Sequence, residues 1–281
     1  MSGKKKSALL NASLSDLVQR FQKEDVVDEM EKRYQSAPTR LISTESIDDN
    51  RFIAEAPIRA DVVASFAEQL RSRGIYNPLV LKRKGDRYEL VLGRKRLFGA
   101  KAAGIVSLPA VITDIGEEEE LLVLLADNRD QRESSILEMA LLCHELQSRF
   151  GYKVTTLAGL THQSRSQIAN TLRLLGLPTS LRSDLNQGKL SYGHARALAG
   201  LDETTALTVA KVIYEGHLSV RATERYVQDL RDGVNASSAL KEGARAYEGT
   251  VVEGRKEIRI RFDSEEAKQR FIADLFENKA A

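Results

Sequence analysis

Tryptophan is absent, and aromatic residues fill only 6% of the 281 positions, which argues against the base-stacking platforms that hold single-stranded nucleic acid. A single cysteine, Cys143, excludes an intramolecular disulfide and a cysteine-based zinc site. Its apolar helical surroundings, residues 136–150, assign it to a core. His144, His162, His194 and His217 show no metal-ligand spacing. No apolar run approaches the roughly 20 residues that span a bilayer. The start is basic and then turns polar, so it does not read as an export signal, and the expected location is the cytoplasm. Charge of one sign is also missing. With 42 basic and 40 acidic residues, any basic patch must be local. Neither a Walker A loop, a nucleophile elbow nor a Ser/His/Asp arrangement is visible.

What is present reads as an α+β chain of several parts. Residues 1–45 read as a flexible tail with one short helix. Residues 46–126 form a small α/β domain: a helix over 61–74, a hairpin of strands 78–84 and 87–92, a helix over 93–104 and an edge strand over 108–112. That strand is placed at an edge because Pro109 lies inside it. Residues 127–232 are almost wholly helical. Residues 233–253 read as a linker, being rich in Gly, Ala, Ser and charge. Residues 254–281 carry one strand and one helix. That is too little to bury a core alone, so this unit is expected to dimerise.

The most informative segment is residues 159–178. Ser164 has the spacing of an N-cap, and Gln167 three residues on completes a capping box. Ile168, Leu172 and Leu175 recur at helical spacing and are expected to share a buried face. Ser166, Asn170 and Arg173 then face outward. An apolar back and a front of short polar groups and arginine suit a helix that reads the major groove. A first helix over 154–158 precedes it. His162 falls at the turn, where positive φ is needed. Any capped amphipathic helix shares part of this pattern, so its neighbours decide its meaning.

Two further segments bear on chemistry. Strand 87–92 ends at Gly93, and a helix opens with Arg94, Lys95 and Arg96. Free N–H groups, the helix dipole and basic side chains there favour an anion, although a solvated basic turn looks similar. Asp127 and Asn128, side by side near a helix end, offer oxygen ligands for Mg²⁺, although Asp-Asn is also an ordinary helix stop.

Taken in order, YELVLGRKRLFGAKAAG, the Asn128 region, SRSQIANTLRLLGLP and GKLSYGHARALAGL resemble the ParB family of DNA partition proteins. The match covers roughly residues 46–230. The resemblance implies an N-terminal domain that binds CTP and Mg²⁺, and a helix-turn-helix that grips a double-stranded centromere-like site, parS. It implies a homodimer joined through residues 254–281 and a clamp that CTP and parS close onto DNA. It also implies a nucleoid-associated protein whose basic N-terminal peptide, with Lys4–Lys6, stimulates a ParA-type ATPase. Gly93, Lys95, Arg96 and Ala100 match the family's phosphate motif, with Lys95 replacing one arginine. Arg94 stands where glutamate is common, and Gly99 where a later arginine is expected. The next motif begins Asp127-Asn128, with Gln131 at its arginine position and Arg132 one step later. The upstream Arg-terminated segment is reduced to residues 56–59.

The implied nucleotide-binding set is thus Gly93, Arg94, Lys95, Arg96, Ala100, Asn128 and Arg132, with Asp127 and Asn128 toward metal. The implied DNA-binding set is Ser164, Arg165, Ser166, Gln167, Asn170, Arg173, Lys189, His194 and Arg196. Slow CTP hydrolysis is implied as well, and the departures at Arg94, Gly99 and Gln131 leave that step open. Two other readings share the scaffold: a transcription or nucleoid-occlusion regulator, and a nucleotide-dependent kinase. The long DNA-binding half and the lack of an obvious catalytic base weigh against the kinase.

Overall fold

The computed structural model of the chain describes residues 37–75, 77–131, 135–231, 249–253 and 258–270. The chain divides into two compact units at Leu207/Thr208. The first unit opens with a five-stranded sheet made of β1 (Arg40–Ser43), β2 (Ile47–Asp48), β3 (Leu79–Lys84), β4 (Arg87–Leu92) and β5 (Ser107–Thr113). Their order across the sheet is β1-β5-β3-β4-β2. β3 and β4 form the expected antiparallel hairpin around Gly85, whose φ is 59°.

Two expectations about this sheet fail. The segment 40–43, assigned to a tail, is a strand that pairs antiparallel with β5. β5 is therefore interior, parallel to β3 on its other side, in spite of Pro109. Pro109 is tolerated because its partner Leu41 belongs to a strand only four residues long, where few ladder hydrogen bonds are at stake. The sequence of β1 is short and only one of its residues, Ile42, is buried, so no periodic signal marks it.

Helices α1 (Ala60–Arg73) and α2 (Arg94–Ala103) pack against each other. Leu79, Leu81, Leu90, Leu97, Ala100 and Leu108 form the core beneath them. Each fully buried leucine of this kind contributes about 1.5–3 kcal/mol of transfer free energy. Gly93 and Gly104 flank α2 in left-handed conformations, so the glycines that bracket this helix in the sequence are its caps.

The chain then becomes helical: α3 (Glu117–Asp130), α4 (Ile136–Phe150), α5 (Val154–Leu160), α6 (Arg165–Arg173), a 3-10 turn (Leu174–Gly176), α7 (Thr179–Asn186), α8 (Tyr192–Leu198), α9 (Glu203–Gly216) and α10 (Val220–Arg231). Glutamates fill the first turn of α3, where the dipole favours them. Glu120 there is fully buried and held by Asn50 and Lys82, a structural assignment. Leu121, Leu125, Leu142, Cys143, Leu157 and Ile168 share one core that joins α3 to the helix-turn-helix. Burial pushes the Cys143 thiol up to about 12, so it is a packing group and not a nucleophile.

In the second unit, β6 (Gly249–Glu253) and β7 (Ile258–Phe262) form an antiparallel two-stranded ladder. β6 falls inside the segment expected to be linker. Only its pairing with β7, visible in the register, reveals it. Ala267 is buried in the short helical stretch that follows, whereas Phe271 and Leu275 lie outside the described residues.

Candidate functional site

The helix-turn-helix consists of α5, a turn at His162 and α6. His162 takes φ of 54°, the left-handed conformation that the turn requires. The Ser164 backbone N–H donates to Gln167 Oε1 at 2.8 Å, and the Gln167 N–H donates to Ser164 Oγ at 3.2 Å. Both halves of the capping box are therefore made. Gln167 spends its side chain on this cap. Ile168 is fully buried, and Arg165, Ser166 and Arg173 are exposed. Asn170 is half-buried and accepts from Arg173 Nη1 at 3.4 Å. Two details differ from the sequence expectation, the first being that Leu172 is half-buried and packs against the core. The α-helix ends at Arg173 and tightens into the 3-10 turn, so Leu174 takes the fully buried place and Leu175 is only half-buried. Lys189 is exposed beside Asp184, and Arg196 is half-buried on α8. His194 shares a 2.8 Å hydrogen bond between Nδ1 and Ser191 Oγ at the start of that helix. The structure thus presents a polar and basic face on α6 with further basic groups on the next elements.

A cavity of about 900 Å³ opens in the same unit. Its walls come from the loop before α1, the α1 side chains Ser65, Phe66 and Gln69, the start of α2, the end of α3 and the start of α4, with Asn186 at the end of α7 and Gly188 just after it. Gly93, Lys95 and Arg96 line it at the α2 N-terminus, where the macrodipole favours an anion. Arg96 also donates to the Asn77 and Pro78 carbonyls at 2.8 and 2.9 Å, which pins the approach to β3. Gly93 has φ of 102°, and a Cβ there would meet Leu79 Cδ2 at 2.6 Å. No other residue fits this turn without strain. Arg59 also lines the cavity and pairs with Asp61. Ala100 is fully buried in the core, so its part is to let α2 pack closely, not to touch a ligand. Arg132 lies outside the described residues.

Arg94 behaves differently from its neighbours. Its Nε and Nη2 donate to both carboxylate oxygens of Asp49, at 2.8 and 2.6 Å. Its Nη1 donates to the Ala56 carbonyl at 2.7 Å and to Glu138 Oε1 at 2.5 Å. The side chain is only 10% exposed. Burial works to lower its pKa, but Asp49 and Glu138 more than offset this and hold it above its ordinary value. Arg94 is therefore committed to two carboxylates, in contrast to the simple basic helix start that the sequence suggests.

The oxygen donors expected to take Mg²⁺ do not fit that task. Asn128 is buried and turns its Nδ2 toward the Ser135 carbonyl and Glu138 Oε2, at 3.1 and 3.2 Å. Its Oδ1 is buried with no hydrogen-bond partner, and the residue does not line the cavity. Asp127 lines it, with Oδ2 accepting from Gln131 at 2.6 Å. The carboxylates nearest to α2, Asp49 and Glu138, are held by Arg94. Among the described residues no group of three or more His, Cys, Asp or Glu side chains is placed to hold a metal ion.

Sequence reasoning missed the partners that make this site. Asp49 and Glu138 carry no motif, and they meet Arg94 only through the fold. Ser135 Oγ donates to Asn186 Oδ1 at 3.1 Å, and Asn186 Nδ2 donates to the Pro57 carbonyl. Arg182 pairs with Glu55 at 3.3 Å. Arg129 Nη1 donates to the Leu160 carbonyl at 3.1 Å, which ties α3 to the first helix of the helix-turn-helix. Among the described residues no helix is long and apolar enough to cross a membrane.

Two family models match the chain: the ParB N-terminal domain over residues 28–129 and the ParB HTH domain over residues 132–232. A probable chromosome-partitioning protein ParB of Coxiella burnetii is 32% identical, over 67% of this chain and 65% of that protein. The chain thus spans slightly under two thirds of that relative's length. The corresponding protein of Pseudomonas putida is 28% identical, over 87% of this chain and 89% of its own length. Among solved structures, C-terminally truncated ParB from Caulobacter crescentus, complexed to the centromeric parS site, aligns with a TM-score of 0.41 and 28% identity. That alignment covers 68% of this chain and 99% of the solved one.

Proposed function

Because the chain belongs to the ParB family, we propose that it binds a parS-like DNA site as a homodimer and closes around DNA as a CTP-gated clamp. It then acts with a ParA-type ATPase in chromosome or plasmid segregation. The observation that carries this reading is the conjunction of two features in one unit. One is a capped helix with an exposed Arg165, Ser166 and Arg173 face. The other is a cavity walled by a left-handed glycine and a basic helix start. In this reading Arg173 and Asn170 contact base edges, since Arg suits guanine and Asn adenine. Arg165, Ser166, Lys189, His194 and Arg196 hold the duplex. Gln167 and Ser164 keep the helix start rigid. Bound CTP supplies a triphosphate whose charge the α2 N-terminus, Lys95 and Arg96 receive, while the α1 side chains and Asn186 shape the remaining wall.

Fluorescence anisotropy of the full chain with a parS duplex and a scrambled duplex, at matched salt, tests the DNA part. The expected result is a clear preference for parS that Arg173→Ala weakens by about 1–3 kcal/mol. Equal, salt-labile affinity for both duplexes would remove sequence-specific recognition. Stimulation of ATPase turnover in a partner ParA, lost when Lys4–Lys6 are replaced, tests the N-terminal peptide, which lies outside the described residues.

A further inference from the structure

We propose that Arg94 is a fixed counter-cation built into this cavity, so that the site takes a nucleoside triphosphate without a divalent metal ion. The inference rests on the nucleotide reading above and asks which form of the nucleotide the cavity accepts. Four oxygen atoms surround the guanidinium: both of Asp49, the Ala56 carbonyl and Glu138 Oε1. Two carboxylates and a carbonyl are the donor types that hard divalent cations use. Here a guanidinium occupies the set. It stays charged at any physiological pH, and its planar fork matches Asp49 in two bonds.

The electrostatic consequence is specific. Without a cation, Glu138 in the cavity wall and Asp49 behind it, in contact with Arg94, would place two negative charges close to a site that a triphosphate must approach, and like charges in a partly buried site repel strongly. A bridging metal would ordinarily cancel them. Arg94 does so permanently from inside the protein, and Lys95, Arg96 and the α2 N-terminus line the same cavity, where their positive charge favours phosphates. Asn128 is drawn into the same cluster, with its amide on Glu138 Oε2 and its Oδ1 turned to no partner. The turning of Asn128 away from the cavity thus belongs to the same cluster that holds Arg94.

Isothermal titration of the full chain with CTP, in excess MgCl2 and again in excess EDTA, tests this. The expected dissociation constants agree within about twofold, and a loss of about tenfold or more in EDTA overturns the inference. Arg94→Gln uncovers Asp49 and Glu138. Its CTP binding should vanish in EDTA and return with Mg²⁺. Binding by this variant in EDTA as tight as that of the native chain would also overturn the inference. Because that change breaks a buried ion cluster, a triple variant with Arg94→Gln, Asp49→Asn and Glu138→Gln removes both signs of charge together. It should bind CTP equally in MgCl2 and EDTA, and a metal requirement in it would count against the neutralising role. CTP bound by the native chain in neither solution would overturn the nucleotide reading itself, whereas metal-dependent binding overturns this inference alone.

Discussion

A glycine shows how single residues carry the site. Gly99 stands on α2 where the family resemblance leads to an expectation of arginine, and the sequence alone gives no reason for the glycine. The structure gives one: a Cβ at position 99 would lie 2.7 Å from Phe66 Cβ and 3.1 Å from the Phe66 backbone carbon. The close approach of α1 and α2 therefore depends on the missing side chain. Gly99→Ala should destabilise the chain by about 1–3 kcal/mol, as overpacking does, read as a lowered midpoint in urea unfolding. An unchanged midpoint would mean that α1 shifts freely, and the cavity wall with it. The same contact explains why the departure was visible but not interpretable. Its cause, Phe66, is distant in the chain and belongs to another helix. Arg94 is parallel. Its identity was plain, and its partners Asp49 and Glu138 became apparent only when the α2 start, the β2 end and α4 met in space.

Elements defined by local chemistry were the most legible. The α6 start needs only four consecutive residues, and Ser164 and Gln167 make both bonds of the capping box. The β3–β4 hairpin and the glycine caps of α2 are likewise local and lie where the sequence placed them. Elements defined by a partner were not legible. β1 and β6 are short, and each is recognisable only by its register with β5 or β7. The 3-10 turn after Arg173 escaped for a related reason: a helical repeat extrapolated past the end of the helix selects Leu175, and the tighter turn buries Leu174. The capping box also yields a quantitative expectation. Ser164→Ala removes the acceptor for the Gln167 N–H and should cost about 1 kcal/mol of stability. Affinity for the parS duplex should fall as well, because the frayed turn carries Arg165 and Ser166. Ser164→Asp restores an acceptor and should recover stability. Recovery of stability without recovery of DNA affinity would show that position 164 lies close to a phosphate, since an added carboxylate repels phosphate.

At the scale of the whole molecule, composition set the terms, with a net charge of only +2 on 281 residues. A nearly neutral chain cannot be held on DNA by bulk charge, so grip must come from local basic faces, and presenting two of them at once would strengthen it. The second unit bears on that doubling. Its strands β6 and β7 make one two-stranded ladder, and a lone hairpin of that size is at best marginally stable by itself. Pairing with a second copy would stabilise it. In sedimentation equilibrium the full chain should then be dimeric and a chain ending at residue 231 monomeric. Two linked reading heads on a palindromic site bind with a gain of roughly 100-fold or more over one, through effective concentration alone. The shortened chain should accordingly lose about that much affinity for a full parS duplex while keeping its affinity for a half-site. Equal loss on both duplexes would instead show that the shortened chain has lost its fold. A shortened chain that still sediments as a dimer would move the dimer contact to residues before 232 and leave β6 and β7 in need of another partner.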